Sequence, residues 1–237
     1  MSGTLIGVGV GPGDPELLTV KGLRALRGAD EVFVPVADTG EVGRAEATVR
    51  EYLDEGGVKR LLFALSGDEE ARTRNWESAA REVSGPLSEG RACAFATIGD
   101  PNVYSTFTYL ARTVRRHVPE VQIETIPGIT AMQDLASRSG TVLVEGEERL
   151  ALLPFTAGEE RLRDALAGFE TVVCYKGGSR MGRVLRAGEE AGRLEGAVYG
   201  AKLGIEGEEL GEASRMSGRD APYLSTVIFT RKGVEFG

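Results

Sequence analysis

Three short stretches of this sequence offer backbone groups and little else to a ligand: Gly9-Val10-Gly11-Pro12-Gly13-Asp14, Gly99-Asp100-Pro101 and Pro127-Gly128-Ile129-Thr130-Ala131. Glycine and proline at that density make loops whose main-chain N–H and C=O groups stay open to a partner. The ionisable groups in them are two carboxylates, Asp14 and Asp100. A ligand held there would be recognised through neutral hydrogen bonds and a carboxylate, without a phosphate clamp. The spacing also refuses a dinucleotide fingerprint. A G-x-G-x-x-G pattern begun at Gly7 needs glycine where Pro12 stands, and one begun at Gly9 needs it where Asp14 stands. Asp14 and Pro15 then place an acid and a missing N–H where a pyrophosphate wants donors and positive potential. A cofactor made of an adenosine and an amino-acid tail suits such a crevice; a plain strand-to-helix turn is the alternative for each loop taken singly.

Each stretch follows an apolar run. Thr4 to Val10, Arg91 to Ile98 and Val121 to Ile126 read as strands, with further strands at Glu31–Pro35 and Lys59–Leu65. Helical spacing predicts helices over Pro15–Arg27, Ala45–Tyr52, Asn75–Glu89 and Ser105–His117. Strands alternating with helices imply a largely parallel sheet, with ligands beyond the strand C-termini. Downstream, strands at 150–153, 171–175, 197–199 and 225–230 alternate with helices near 159–166 and 181–191, a second α/β unit. The expected division is an N-terminal domain of residues 1–122 and a C-terminal domain of residues 123–237.

Composition narrows the class of partner. The 237 residues carry 28 Lys+Arg against 36 Asp+Glu, a formal charge of −8, which argues against nucleic-acid binding. No apolar run reaches a membrane span and no signal-peptide pattern opens the chain, so a cytoplasmic location is expected. Cys93 and Cys174 each sit inside an apolar run, as buried structural thiols do, and no metal-ligand set is visible.

Taken in order, the motifs resemble those of the tetrapyrrole (corrin/porphyrin) methyltransferases that use S-adenosylmethionine. Gly7-Val-Gly-Val-Gly-Pro-Gly-Asp-Pro-Glu-Leu-Leu-Thr19 resembles the family's N-terminal proline-rich loop, Gly99-Asp100-Pro101 its G-D-P loop, and Ile126-Pro-Gly-Ile-Thr-Ala131 its P-G-I-T-A turn. The likeness continues through Ala197–Lys202 and Tyr223–Phe229. Within the family, Val32-Phe-Val-Pro35 and Gly99-Asp-Pro-x-x-Tyr-Ser-Thr106 are most like the branch that methylates C20 of precorrin-2 or cobalt-factor II. Lys176–Met181 follows that branch only loosely, and Thr130-Ala131-Met132 is as close to uroporphyrinogen methylases. The resemblance implies a homodimer of two α/β domains, S-adenosylmethionine in a cleft between them, and an anionic tetrapyrrole in an adjoining trough. By matching motif it places cofactor contacts on Pro12, Gly99, Asp100, Val103, Ser105, Thr106, Thr130, Ala131, Tyr175, Lys176 and Ala201.

Methyl transfer from a sulfonium is an in-line displacement, so the protein's task is to position and desolvate and, where needed, to accept a proton. Asp100, Tyr104 and Glu145 are candidate acceptors, and spacing singles out none of them; the base is unknown. His117, beside Arg115 and Arg116 at a helix end, reads as a C-terminal cation without a catalytic role. Arg44, Arg72, Arg74, Arg180 and Arg183 lie in or beside loops where a carboxylate-bearing substrate would be met. Other methylases of this fold, acting on uroporphyrinogen III, on another precorrin or on a protein in diphthine synthesis, are the alternative, with a non-catalytic ligand-binding module beyond them.

Overall fold

Residues 3–38, 40–63, 69–216, 219 and 221–231 are described by a computed structural model, apart from the side chains of residues 55, 69, 71 and 72. The side chain of Arg72 therefore lies outside what is described, as does the end of the strand expected to reach Leu65. Two units divide the chain, Met1–Thr130 and Ala131–Gly237.

The first unit runs β1 (Thr4–Gly9), α1 (Val20–Gly28), β2 (Glu31–Val36), α2 (Arg44–Arg50), β3 (Val58–Leu62), α3 (Glu69–Ser88), β4 (Ala92–Thr97), α4 (Phe107–His117) and β5 (Gln122–Ile126). All five strands are parallel, in the order β3-β2-β4-β1-β5. β4 shows why the sequence reads as a continuous apolar run. Cys93 and Phe95 pack with Leu5, Phe107 and Leu110 on one face, and Ala94 and Ala96 with Val8, Val34 and Leu26 on the other. Both faces of a parallel sheet are covered, so neither can be polar. The register pairs Gly9 with Thr97 and Val8 with Ile126, which brings the ends of β1, β4 and β5 level at one edge.

The second unit runs α5 (Ala131–Ser139), β6 (Leu150–Pro154), α6 (Glu159–Gly168), β7 (Thr171–Tyr175), α7 (Met181–Glu190), β8 (Val198–Ala201), β9 (Glu209–Glu212) and β10 (Ser225–Thr230). Its sheet order is β6-β7-β10-β8-β9. Only β6 and β7 are parallel; β10 is antiparallel to both β7 and β8.

Several expectations need adjusting. The helix expected over Pro15–Arg27 is two elements. Asp14 Oδ1 accepts from Glu16 N at 2.9 Å and caps a single 3-10 turn, Pro15–Leu17; Leu18 is extended, and Thr19 Oγ1 accepts from Gly22 N at 3.0 Å to start α1 afresh. Two competing caps five residues apart break what hydrophobic spacing alone reads as one helix. α3 begins at Glu69, ahead of the expected Asn75, and α5 and β9 were not anticipated from sequence. The first unit extends to Thr130 rather than to residue 122, because β5 pairs along β1 and belongs to the first sheet. Both cysteines are buried and free, their thiols pushed up to about 12 by burial. Trp76 stacks on Tyr109 at 4.8 Å, joining α3 to α4.

One ion pair sets a pH limit. Hydrogen bonds from the Arg149 guanidinium and backbone N–H hold the Glu170 carboxyl down at about 2. A carboxyl depressed in the folded state stabilises above its unfolded value of roughly 4.3 and loses that contribution as pH falls through the folded one. The melting temperature should therefore fall between about pH 4.5 and pH 2 more steeply for the native chain than for Glu170→Gln. Parallel thermal-melt profiles over that window would contradict the assignment.

Candidate functional site

The three glycine loops meet at the level edge of the first sheet. Val10 N donates to Thr97 O at 3.0 Å, and Gly99 N donates to Gly11 O at 2.8 Å, so the loops leaving β1 and β4 are zipped together for two residues beyond the strands. Both glycines of that bridge are left-handed, with φ of 83° at Gly11 and 69° at Gly99, a conformation that a side chain disfavours. The third loop presses against them. A Cβ on Gly9 would stand 2.5 Å from Gly99 O and 2.6 Å from Gly128 N, so the contact is backbone against backbone.

Asp100 fastens the arrangement. Its Oδ1 accepts from Asn102 N at 2.7 Å, tightening the turn after β4, while its Oδ2 accepts from Gly128 N at 3.1 Å across to the loop after β5. Asn102 Nδ2 reaches Thr125 Oγ1 at 3.3 Å, a second tie between the same loops. The carboxylate thus has an architectural role that its sequence position did not reveal. The start of α4 is served by Ser105, whose Oγ accepts from Phe107 N at 3.1 Å and lies 3.0 Å from Thr97 Oγ1.

The expected contact residues of the first unit all fall on these loops. Pro12 and Gly99 are buried; Asp100, Val103, Ser105 and Thr106 are half-buried; Thr130 is buried at the end of the third loop. Tyr104, between them, is exposed and takes a φ of 49°. A tyrosine in the left-handed region costs roughly 1–3 kcal/mol, which surrounding structure must offset. No lysine or arginine occurs within 9–14, 98–106 or 125–131. Asp14 occupies the first N–H of its own turn. The loops therefore present neutral hydrogen-bonding edges and one carboxylate, a donor set that fits a cofactor with a cationic sulfonium, an ammonium and a ribose better than one with phosphates.

The remaining expected contacts belong to the second unit. Ala131 opens α5, and Tyr175 ends β7 with its hydroxyl accepting from Met132 N at 2.9 Å, which satisfies one of the otherwise unpaired N–H groups of the α5 N-terminus. Lys176 follows at a φ of 60°, half-buried, with its ammonium 5.9 Å from the Tyr223 ring and its pKa lowered by burial. Ala201 ends β8, buried, and the next residue, Lys202, is again left-handed at 51°. Of the left-handed non-glycine residues among those described, Lys176 and Lys202 each directly follow a strand end that carries an expected contact, and Tyr104 lies in the loop after β4 between the expected contacts Val103 and Ser105. Sequence gives no signal for that, because nothing in a tyrosine or lysine announces a positive φ.

His117 Nε2 lies 2.7 Å from Glu77 at the end of α4. Glu145 sits in an exposed turn closed by its N–H donating to Glu148. Among the described residues no three His, Cys, Asp or Glu side chains are grouped to hold a metal ion, and no helix is long and apolar enough to cross a membrane.

Comparison with known proteins agrees with this geometry. The model of the family described as "Tetrapyrrole (Corrin/Porphyrin) Methylases" matches residues 4–215. A precorrin-2 C(20)-methyltransferase of a Sinorhizobium species is 35% identical over 95% of this chain and 94% of its own. A probable cobalt-precorrin-2 C(20)-methyltransferase of Methanocaldococcus jannaschii is 37% identical over 72% of this chain and 70% of its own. Among solved structures, that of the methyltransferase CobJ superposes with a TM-score of 0.73 at 22% identity, covering 100% of this chain and 98% of that one, a likeness of fold. With the family model matching residues 4–215 and 35% identity to a relative across 95% of its length, the chain belongs to the tetrapyrrole (corrin/porphyrin) methylases.

Proposed function

We propose that this protein transfers a methyl group from S-adenosylmethionine to C20 of precorrin-2 or of its cobalt-bearing counterpart, in the building of the corrin ring. The single observation that carries the cofactor is the set of converging loops with no cation and one carboxylate, Asp100, tied into their backbone. The choice of substrate follows the similarity to two C(20)-methyltransferases. The homodimer follows the family resemblance.

In this reading S-adenosylmethionine supplies an electrophilic methyl on a sulfonium that loses its charge on transfer. The backbone of Gly99–Val103 and Thr130 would hold the adenosine and amino-acid ends, and Asp100, through lone pairs left beside its bonds to Asn102 and Gly128, would accept from the ammonium or ribose. Pro12, Ser105 and Thr106 would wall the same loops, and the family resemblance adds Ala131, Tyr175, Lys176 and Ala201 as cofactor contacts. The protein's work is orientation: bringing nucleophile and methyl carbon to roughly 3–3.5 Å in line is where most of the rate is gained.

The test is calorimetric titration with S-adenosylhomocysteine, followed by mass spectrometry of precorrin-2 and cobalt-factor II incubated with S-adenosylmethionine. A product heavier by one methyl in place of hydrogen, at C20, is expected, and the faster substrate assigns the metal status. Asp100→Ala should weaken S-adenosylhomocysteine binding roughly 10- to 100-fold, as loss of a charge-assisted hydrogen bond worth about 1.5–3 kcal/mol requires. Cofactor binding without methylation of either tetrapyrrole would move the substrate elsewhere in the family; no binding at all would sink the reading.

A further inference from the structure

Nearly every arginine that is drawn in from solvent has an acceptor. Arg50 and Arg60 share the buried Glu46, at 2.7 Å and 2.8 Å; Arg91 and Lys59 share Glu31; Arg193 is satisfied by main-chain carbonyls. Of the arginines that sequence put near the loops, Arg74 pairs with Glu70, Arg183 pairs with Glu159, and Arg180 is exposed. Arg44 differs from all of these. It is half-buried, its pKa is lowered by desolvation, and among the described residues its guanidinium meets no carboxylate or carbonyl. The nearest carboxylate along α2, Glu46, is taken by Arg50, Arg60 and the N–H of Gly43, and Asp38 in the preceding loop is turned onto Gly40 N.

Its place in the fold gives this a direction. Arg44 is the first residue of α2, just beyond the C-terminal end of β2 and so on the edge of the sheet where ligands of parallel α/β folds enter. α2 is also docked on the loop after β1: Thr48 Oγ1, within 3.4 Å of Arg44 O, reaches Gly13 O at 3.3 Å, and Tyr52 Oη donates to Pro15 O at 3.0 Å. A desolvated guanidinium without a counter-ion is held at a cost that an incoming carboxylate would remove, and its planar fork matches a carboxylate in two parallel bonds.

We propose that Arg44 is a specificity-determining residue that binds a side-chain carboxylate of the tetrapyrrole; the inference rests on the proposed substrate class. The experiment compares wild-type protein with Arg44→Met, Arg44→Gln and Arg44→Lys, using as the probe whichever of precorrin-2 and cobalt-factor II the wild-type protein methylates faster. The KM for that tetrapyrrole should rise roughly 10- to 100-fold in the Met and Gln variants and less in the Lys variant, with kcat changed no more than about threefold. S-adenosylhomocysteine affinity should stay at the wild-type value, and the melting temperature should not fall, since an unpaired buried charge has been removed. An unchanged KM in folded variants overturns the proposal, as does a parallel loss of S-adenosylhomocysteine binding, which would mean that Arg44 merely supports the loop. Wild-type protein that methylates neither precorrin-2 nor cobalt-factor II overturns the substrate reading itself, an outcome separate from either of these.

Discussion

Gly128→Ala is expected to abolish detectable S-adenosylhomocysteine binding, with an affinity loss beyond about 100-fold, and to destabilise the chain by about 3 kcal/mol. The new Cβ would collide with the carbonyl oxygen of Gly99 and stand 2.7 Å from both Cα and the carbonyl carbon of Gly9. All three obstacles are main chain, two of them in Gly9, the last residue of β1, so no rotamer change relieves the clash. Separating the loops also breaks the 3.1 Å bond from Gly128 N to Asp100 and removes the backbone surface on which the cofactor is expected to lie. For a chain of this size the destabilisation corresponds to a drop of roughly 6–12 °C in melting temperature. Gly182→Ala, in the exposed face of α7 with nothing within 4 Å of the new atom, is the control and should gain up to about 1 kcal/mol. Calorimetry and thermal melts on both variants decide the matter; an alanine at 128 that binds S-adenosylhomocysteine within threefold of wild type would refute the packing argument.

Arg193→Met should cost about 3–5 kcal/mol, larger than any surface ion pair in the molecule could account for. Arg193 is only 7% exposed, and among the described residues no carboxylate hydrogen-bonds to it. Instead Nη1 donates to Leu166 O at 2.8 Å and Phe169 O at 3.1 Å, Nη2 to Glu170 O at 2.6 Å and Phe229 O at 3.4 Å, and Nε to Thr230 O at 3.3 Å. The guanidinium thereby satisfies carbonyls at the C-terminal end of α6, where a helix presents its negative pole, and ties them to the last turn of backbone in β10. Methionine fills much of the volume but leaves those acceptors buried and unpaired. Urea denaturation should show a lower midpoint at an unchanged slope. A loss below about 1 kcal/mol would mean that water replaces the guanidinium at little cost.

Residues of these two kinds show what could and could not be read from the chain. Gly9, Gly99 and Gly128 were legible as a group, because glycine and proline after an apolar run mark a strand's C-terminal end, and parallel strands bring such ends to one edge. The continuous apolar runs of β1 and β4 announced a sheet covered on both faces. Arg193 was not legible: in Gly192-Arg193-Leu194 it resembles any charged residue after a helix, and only the fold brings carbonyls from α6 and β10 around it. Asp100 was found for its type and place, but its bond to Gly128 links residues 28 apart and follows from register. β9 was missed because Glu209, Gly211 and Glu212 are what an edge strand shows to solvent, and exposed edges are kept polar. α1 was misjudged where two local caps overrode hydrophobic spacing, a competition decided by a few tenths to about 2 kcal/mol.

The position of β10 in the second sheet has a consequence for biogenesis. It is the middle strand, paired with β7 on one side and β8 on the other, yet it is the last of the five to leave the ribosome. The first sheet draws every strand from residues before 127 and can close while the remainder is still being made. The second cannot: until Ser225–Thr230 emerges, β6 with β7 and β8 with β9 are two ribbons, each presenting an unpaired apolar edge. At roughly 5–20 residues per second, the interval between β7 and β10 lasts several seconds, long enough for a nascent chain to need shielding from its neighbours on the same polysome. Translation speed over that interval, rather than the equilibrium stability of the finished protein, then sets how much of it folds without aggregating.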